Sequence, residues 1–230
     1  MENMLVNSAF FGAMITIVAY EIGLFIKNKC RLAIFNPLLI SMILIIVCLC
    51  VFHIDYSIYY QGAQYISYLL TPATVCLALP LYEQFELLKK HKTAILAGIL
   101  AGVLTSALCI LALAMLFQLN HKEYVTLLPK SITTAIGMKV SEELGGMVTV
   151  TVVTIVITGV IGNMMAEQIC KWFHITEPIA TGVAIGTASH AMGTTKAMEL
   201  GEVQGAMSSL SIGVAGLLTV IVSYLFSSFW

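Results

Sequence analysis

TAILAGILAGVLTSALCILALAMLFQ, residues 93–118, carries no charged side chain. At 1.5 Å rise per residue, about 20 such residues cross a hydrocarbon core. The rest of the chain agrees with this stretch. Of its 230 residues 59% are hydrophobic and 10% charged, whereas a soluble domain carries roughly 25% charged residues. A soluble fold could not cover its surface with so few, and a surface against lipid needs none. The expectation is an all-α polytopic membrane protein lying in the lipid bilayer.

Further continuous apolar runs lie at roughly 5–26, 33–52, 146–169 and 204–229. Three more apolar segments are interrupted: 62–88 by Pro72 and Pro80, 124–144 by Pro129, Lys130 and several hydroxyls, and 177–200 by glycines, His190 and Lys196. This makes about eight membrane segments in a single transmembrane domain spanning 1–230. Segment starts near 5, 33, 62 and 93 are echoed near 124, 146, 177 and 204. That spacing suggests two structural repeats, 1–120 and 121–230, the arrangement in which many transporters hold substrate at broken helices.

Lys27, Lys29 and Arg31 follow the first run, and Lys89, Lys90 and Lys92 follow the first interrupted segment. Basic loops stay cytoplasmic, so these six residues face inward and the loop at His53 and Asp55 faces outward. The N-terminus is then outside. It carries Glu2 and no basic residue before the first run, unlike a cleavable signal. The net charge of −1 and the lack of a basic block give no reason to expect nucleic acid. Six cysteines, most of them in apolar runs and none in a CxxC pair, suggest neither a metal site nor a disulfide framework. No catalytic motif stands out, so neither an enzyme nor a cofactor is expected.

The chemistry should sit in the interrupted segments. Pro72 and Pro80 in LLTPATVCLALPLYEQ (69–84) free backbone carbonyls that must be satisfied inside the membrane, with Thr71 and Thr74 to help. LLPKSITTAIGMKVSEELGG (127–146) places Lys130, Ser131, Thr133 and Thr134 just after Pro129. A helix starting at that proline would aim its N–H groups, beside an ammonium, at a small anion. The plainer alternative is that Lys130 snorkels to the interface. GVAIGTASHAMGTTKAMELGE (182–202) sets Gly182, Gly186, Ser189, Gly193 and Lys196 on one small face. Close helix packing accounts for the glycines but leaves Ser189, His190, Thr194 and Lys196 as candidate substrate groups, since ionisable residues at membrane depth face an interior or a water-filled cavity. These residues imply a small-anion transporter in which the interrupted segments converge on one polar cavity.

The same three stretches, with GTASHAMGTTKAMELGEVQGAMSSL (186–210) closing the third, resemble the LrgB/CidB family of bacterial membrane proteins. The resemblance covers nearly the whole chain and implies a multi-pass protein of the bacterial plasma membrane. It implies transport of small monocarboxylates such as pyruvate, glycolate or glycerate, with proton or sodium coupling left open. The alternative it implies is an antiholin-like regulator of murein hydrolase activity and cell lysis, acting with a small holin-like LrgA/CidA-type partner. A homo-oligomer is expected.

Overall fold

A computed structural model describes residues 10–30, 35–76 and 78–230. Among them every regular element is an α-helix. They fall into two compact units, Met1–Cys76 and Leu77–Trp230. Arg31, one of the expected cytoplasmic residues, and residues 5–9 of the first expected span lie outside the described residues.

The first unit contains α1 (Phe11–Cys30), α2 (Pro37–Val51), α3 (Tyr56–Ser67) and α4 (Leu70–Cys76). Asn36 starts α2: its side chain accepts from the Leu38 N–H at 2.8 Å, and Pro37 fits the first turn because its missing N–H would have no helical partner there. Gly23 lets α1 meet that start, since a Cβ at this position would lie 2.7 Å from the Pro37 carbonyl oxygen. Thr16 and Tyr59 join α1 to α3 through their hydroxyls at 2.9 Å. Lys27 and Lys29 end α1, while Asp55 precedes α3 after the whole length of α2. Single cysteines replacing Lys27 and Asp55 should therefore differ: an impermeant maleimide applied to intact cells labels position 55 and spares position 27. Labelling of 27 alone would reverse the orientation.

The second unit contains α5 (Ala78–Glu83), α6 (Phe85–Phe117), α7 (His121–Leu127), α8 (Thr134–Glu143), α9 (Val148–Trp172), α10 (Pro178–Leu200) and α11 (Glu202–Ser227). Four helices, α1, α6, α9 and α11, are long and apolar enough to cross a membrane; α2 is apolar but only 15 residues long. The expected run 93–118 is part of a longer helix. α6 begins at Phe85, so Lys89, Lys90 and Lys92 occupy its first turns and not a loop. Its 33 residues extend about 50 Å, leaving room for a charged first stretch beyond the hydrocarbon.

Along α6 one row is buried and another bare. Ile95, Ile99, Val103 and Ala107 pack with Val183 of α10 and with Met207, Ala215 and Val222 of α11. Leu96, Leu100, Leu104 and Leu108 are all exposed. In water such a stripe would be an adhesive patch; against lipid tails it incurs no such penalty. Within this unit the backbones of α10 and α11 come closest, because a Cβ at Gly186 would collide with the Ser208 backbone, its α-carbon 2.8 Å away.

α10 is not one continuous rod. At His190 the backbone turns to φ 43° and ψ −141°, dividing the helix near its middle. A non-glycine residue in such a conformation costs of order 1–3 kcal/mol and must be held by its surroundings. Here the His190 Nε2–H donates to the Ile155 carbonyl at 3.1 Å, and the Thr194 hydroxyl donates to the His190 carbonyl at 2.9 Å. The third segment is thus broken at the residue that carries its imidazole.

Candidate functional site

Two breaks and one long helix build the site. Pro129 lacks the N–H that would continue α7. The Lys130 N–H instead closes a tight turn on Leu127 O, and the Ile132 N–H another on Pro129 O. The helix that the sequence places directly after Pro129 starts four residues later, at Thr134 with Thr133 as its cap. Lys130 and Ser131 therefore project from a turn, not from a helix N-terminus.

That turn closes one end of a cavity of about 740 Å³. One wall is α6, from His91 to Cys109, a run of about 27 Å at helical rise. The other is the first half of α10, from Ile179 to Ala188. Small residues make the groove: Gly98 and Gly102 on α6 face Ala180, Ala184 and Ala188 on α10. His91 and Glu177 also line it, and the Glu177 carboxylate caps α10 by accepting from the Ala180 N–H at 2.8 Å.

Most of the lining is apolar, and the polar groups cluster around Lys130. Its ammonium donates to Ser131 Oγ at 3.0 Å, and Ser131 Oγ stands 3.4 Å from Ser106 Oγ. Thr105 and Thr187 line the same cavity. Among the described residues Lys130 has no carboxylate within ion-pair range, in contrast to Lys196. A half-buried ammonium with hydroxyl neighbours has the donors to hold a small anion. Its three donors suit a carboxylate without demanding the fixed two-point geometry of arginine.

The other candidate residues are distributed differently. Ser189 and His190 press against α9, where a Cβ at Gly162 would come 2.5 Å from Ser189 Cβ and one at Gly159 2.7 Å from His190 Cε1. Thr194 shares a hydrogen bond with Ser208 of α11 at 2.7 Å. Lys196 pairs with Glu167 at 3.2 Å and Glu199 at 3.3 Å. Asn163 donates to the Met192 carbonyl and to Thr195, adding a further tie between α9 and α10. These groups stitch three helices together and do not line the cavity. Thr133 and Thr134 begin α8 and are half-buried, also outside the lining. Thr71 is exposed in α4 of the first unit, and the Thr74 side chain lies outside the described residues.

Of the three interrupted segments expected to converge on one polar cavity, the second and third meet through Ser131 and Thr187 at a mostly apolar one, while Ser189, His190, Thr194 and Lys196 of the third lie outside its lining. Their third wall comes from a helix that sequence reasoning treats only as a span. Thr105 and Ser106 are visible as hydroxyls within the apolar run 93–118, and Gly98 and Gly102 as glycines four residues apart on one helix face. Thr187 lies inside the third interrupted segment but attracts less notice than the ionisable His190 three residues on.

The chain matches the LrgB-like family model over residues 16–229. It is 36% identical over 221 residues to the antiholin-like protein LrgB of Bacillus cereus (strain B4264), covering 96% of each chain. The antiholin-like protein LrgB of Bacillus anthracis (strain A0248) matches to the same extent. No solved structure matches the chain.

Proposed function

The chain belongs to the LrgB-like family, as a multi-pass bacterial membrane protein, and from that premise we propose that it binds a small monocarboxylate in the Lys130 cavity and carries it across the membrane. The observation supporting this reading is the half-buried Lys130 ammonium, hydrogen-bonded to Ser131 and, among the described residues, without a carboxylate partner, at one end of a cavity between α6 and α10. Pyruvate, glycolate and glycerate are of a size to enter. Lys130 and Ser131 remain the substrate groups of the expected set, joined by Ser106. His190, Ser189 and Thr194 hold the break in α10 and act on the cavity through its shape. In the same proposal, the eight segments divide into five continuous helices, α1, α2, α6, α9 and α11, and three interrupted ones, arranged as repeats 1–120 and 121–230. Coupling to H⁺ or Na⁺ and assembly into a homo-oligomer belong to it as well.

A second reading is favoured over transport by the relatives' name, antiholin-like protein: the chain regulates murein hydrolase activity with a holin-like LrgA-type membrane partner, as the family resemblance implies. Such a regulator needs packing surfaces and no receptor for an anion. Uptake of labelled pyruvate and glycolate by purified protein in liposomes, with and without the partner, separates the two. Saturable uptake favours transport; none in either arrangement, with partner binding intact, favours regulation.

Lys196 supplies an internal control. Its charge is already matched by two carboxylates outside the cavity that are open to water, and surface pairs contribute about 0–1 kcal/mol. Lys196→Met should leave uptake within about twofold of the unmodified protein once normalised to folded protein. A loss comparable to that of Lys130→Met would move the site toward α9.

A further inference from the structure

Behind the Lys130 end of the cavity lies a much smaller void of about 10 Å³, close to the space one water molecule requires. Ser106, Ser131 and Thr187 line both voids, so they form the partition between them. Each comes from a different element: α6, the α7–α8 turn and α10. Thr219 and Ser223, one turn apart on α11, stand on the far side.

This partition is closed but poorly bonded. The separation of 3.4 Å between Ser106 Oγ and Ser131 Oγ exceeds the usual O–H···O range of about 2.5–3.0 Å. Thr187 is 7% exposed, and among the described residues its buried hydroxyl oxygen has no hydrogen-bond partner. Three other buried hydroxyls on these helices bond back to their own helix: Thr181 to Glu177 O, Thr194 to His190 O, Ser211 to Met207 O. The Thr187 methyl lies against α6, where a Cβ at Gly102 would come within 2.7 Å of it. An unpaired buried hydroxyl penalises the state that buries it. Parting α6 from α10 and admitting water would remove that penalty.

We propose that Ser106, Ser131 and Thr187 are the gate of an anion path that leads from the Lys130 cavity through the small chamber and past Thr219 and Ser223, here in its closed position. The proposal rests on reading the cavity as a transport site. The gate opens when α10 withdraws from Gly102. Its closed state is kept from being too stable by the unpaired Thr187 hydroxyl.

Two measurements test it. In a chain whose six native cysteines are replaced by alanine, Ser223→Cys should react slowly with a small methanethiosulfonate reagent. Adding Ser106→Ala and Ser131→Ala, which thin the partition, should accelerate modification at least tenfold. Equal rates in the two backgrounds, with both proteins monodisperse in detergent, would overturn the gate. In liposomes, Thr187→Val keeps the shape and removes the unpaired hydroxyl, favouring closure. Uptake of labelled pyruvate or glycolate should then fall roughly tenfold with unchanged half-saturation, and Thr187→Ser should restore it. Full uptake by Thr187→Val would also overturn the gate. Absence of uptake by the unmodified protein, with the cysteine rates as expected, would instead sink the transport reading, a result distinct from failure of the barrier.

Discussion

Liposomes carrying Lys130→Met should take up labelled pyruvate and glycolate on the order of a hundredfold more slowly than the unmodified protein, because truncating one partner of a desolvated charge pair costs about 2–5 kcal/mol. Methionine keeps an apolar stem of similar length, so insertion and folding should persist. Lys130→Arg separates a receptor from an anchor. The side chain at 130 is confined by the turn on Leu127 O and by Ser131, leaving a compact ammonium 3.0 Å from the serine hydroxyl. A planar guanidinium there would displace Ser131, and transport should be impaired although the charge is kept. Were Lys130 only snorkelling to the head groups, arginine would behave as lysine does. Initial uptake rates per folded protein decide between these, and near-normal uptake by Lys130→Met would remove Lys130 from the site.

Gly186→Val should be the most damaging single substitution in the second unit. The new Cβ would collide with the Ser208 carbonyl oxygen and lie 2.8 Å from both Ser208 Cα and Oγ. Two of those atoms are backbone, so no rotamer change relieves the clash, and α10 must move bodily from α11. Overpacking a tight core costs typically 1–3 kcal/mol and occasionally more; here the strain falls on the closest helix pair in the unit. A large fall in melting temperature, or loss of the monodisperse peak in detergent, is the expected result. Gly213→Ala on α11 is the matched control and should be near neutral, since its new methyl would have nothing within 4 Å. Equal behaviour of the two variants would refute the packing assigned to Gly186.

The membrane class and the long helices were legible because they depend on counting: apolar runs of span length, and few charges to break them. The breaks were legible as breaks, since Pro129 and the glycine-rich stretch around His190 are local signals. Their geometry was not. A proline marks where a ladder of hydrogen bonds fails, but the next helix starts where its first N–H groups find partners, which put α8 at Thr134. Ionisable side chains point to His190 and Lys196; Glu199, which pairs with Lys196, is three residues on, but Ile155 O and Glu167 lie on a different helix and are invisible along the chain. Conversely, Ser106 looks like an ordinary hydroxyl in an apolar span until α10 and the Pro129 turn are brought against it. Lys130 and Ser131 lay in a break close to charge, and they are the members of the expected set that line the cavity.

The length of α6 links this protein to the thickness of its bilayer. About 50 Å of rigid helix meets a hydrocarbon layer of about 30 Å. Lys89, Lys90 and Lys92 cluster within its first two turns, and basic side chains at a helix end favour the head-group region. A thicker or thinner layer can match the remaining apolar rod mainly by changing its tilt. Gly102, where α6 leans against Thr187, lies well along that rod from the lysine end, so a few degrees of tilt there become an appreciable sideways displacement. Acyl-chain length is thereby expected to act on the contact between α6 and α10 without any ligand.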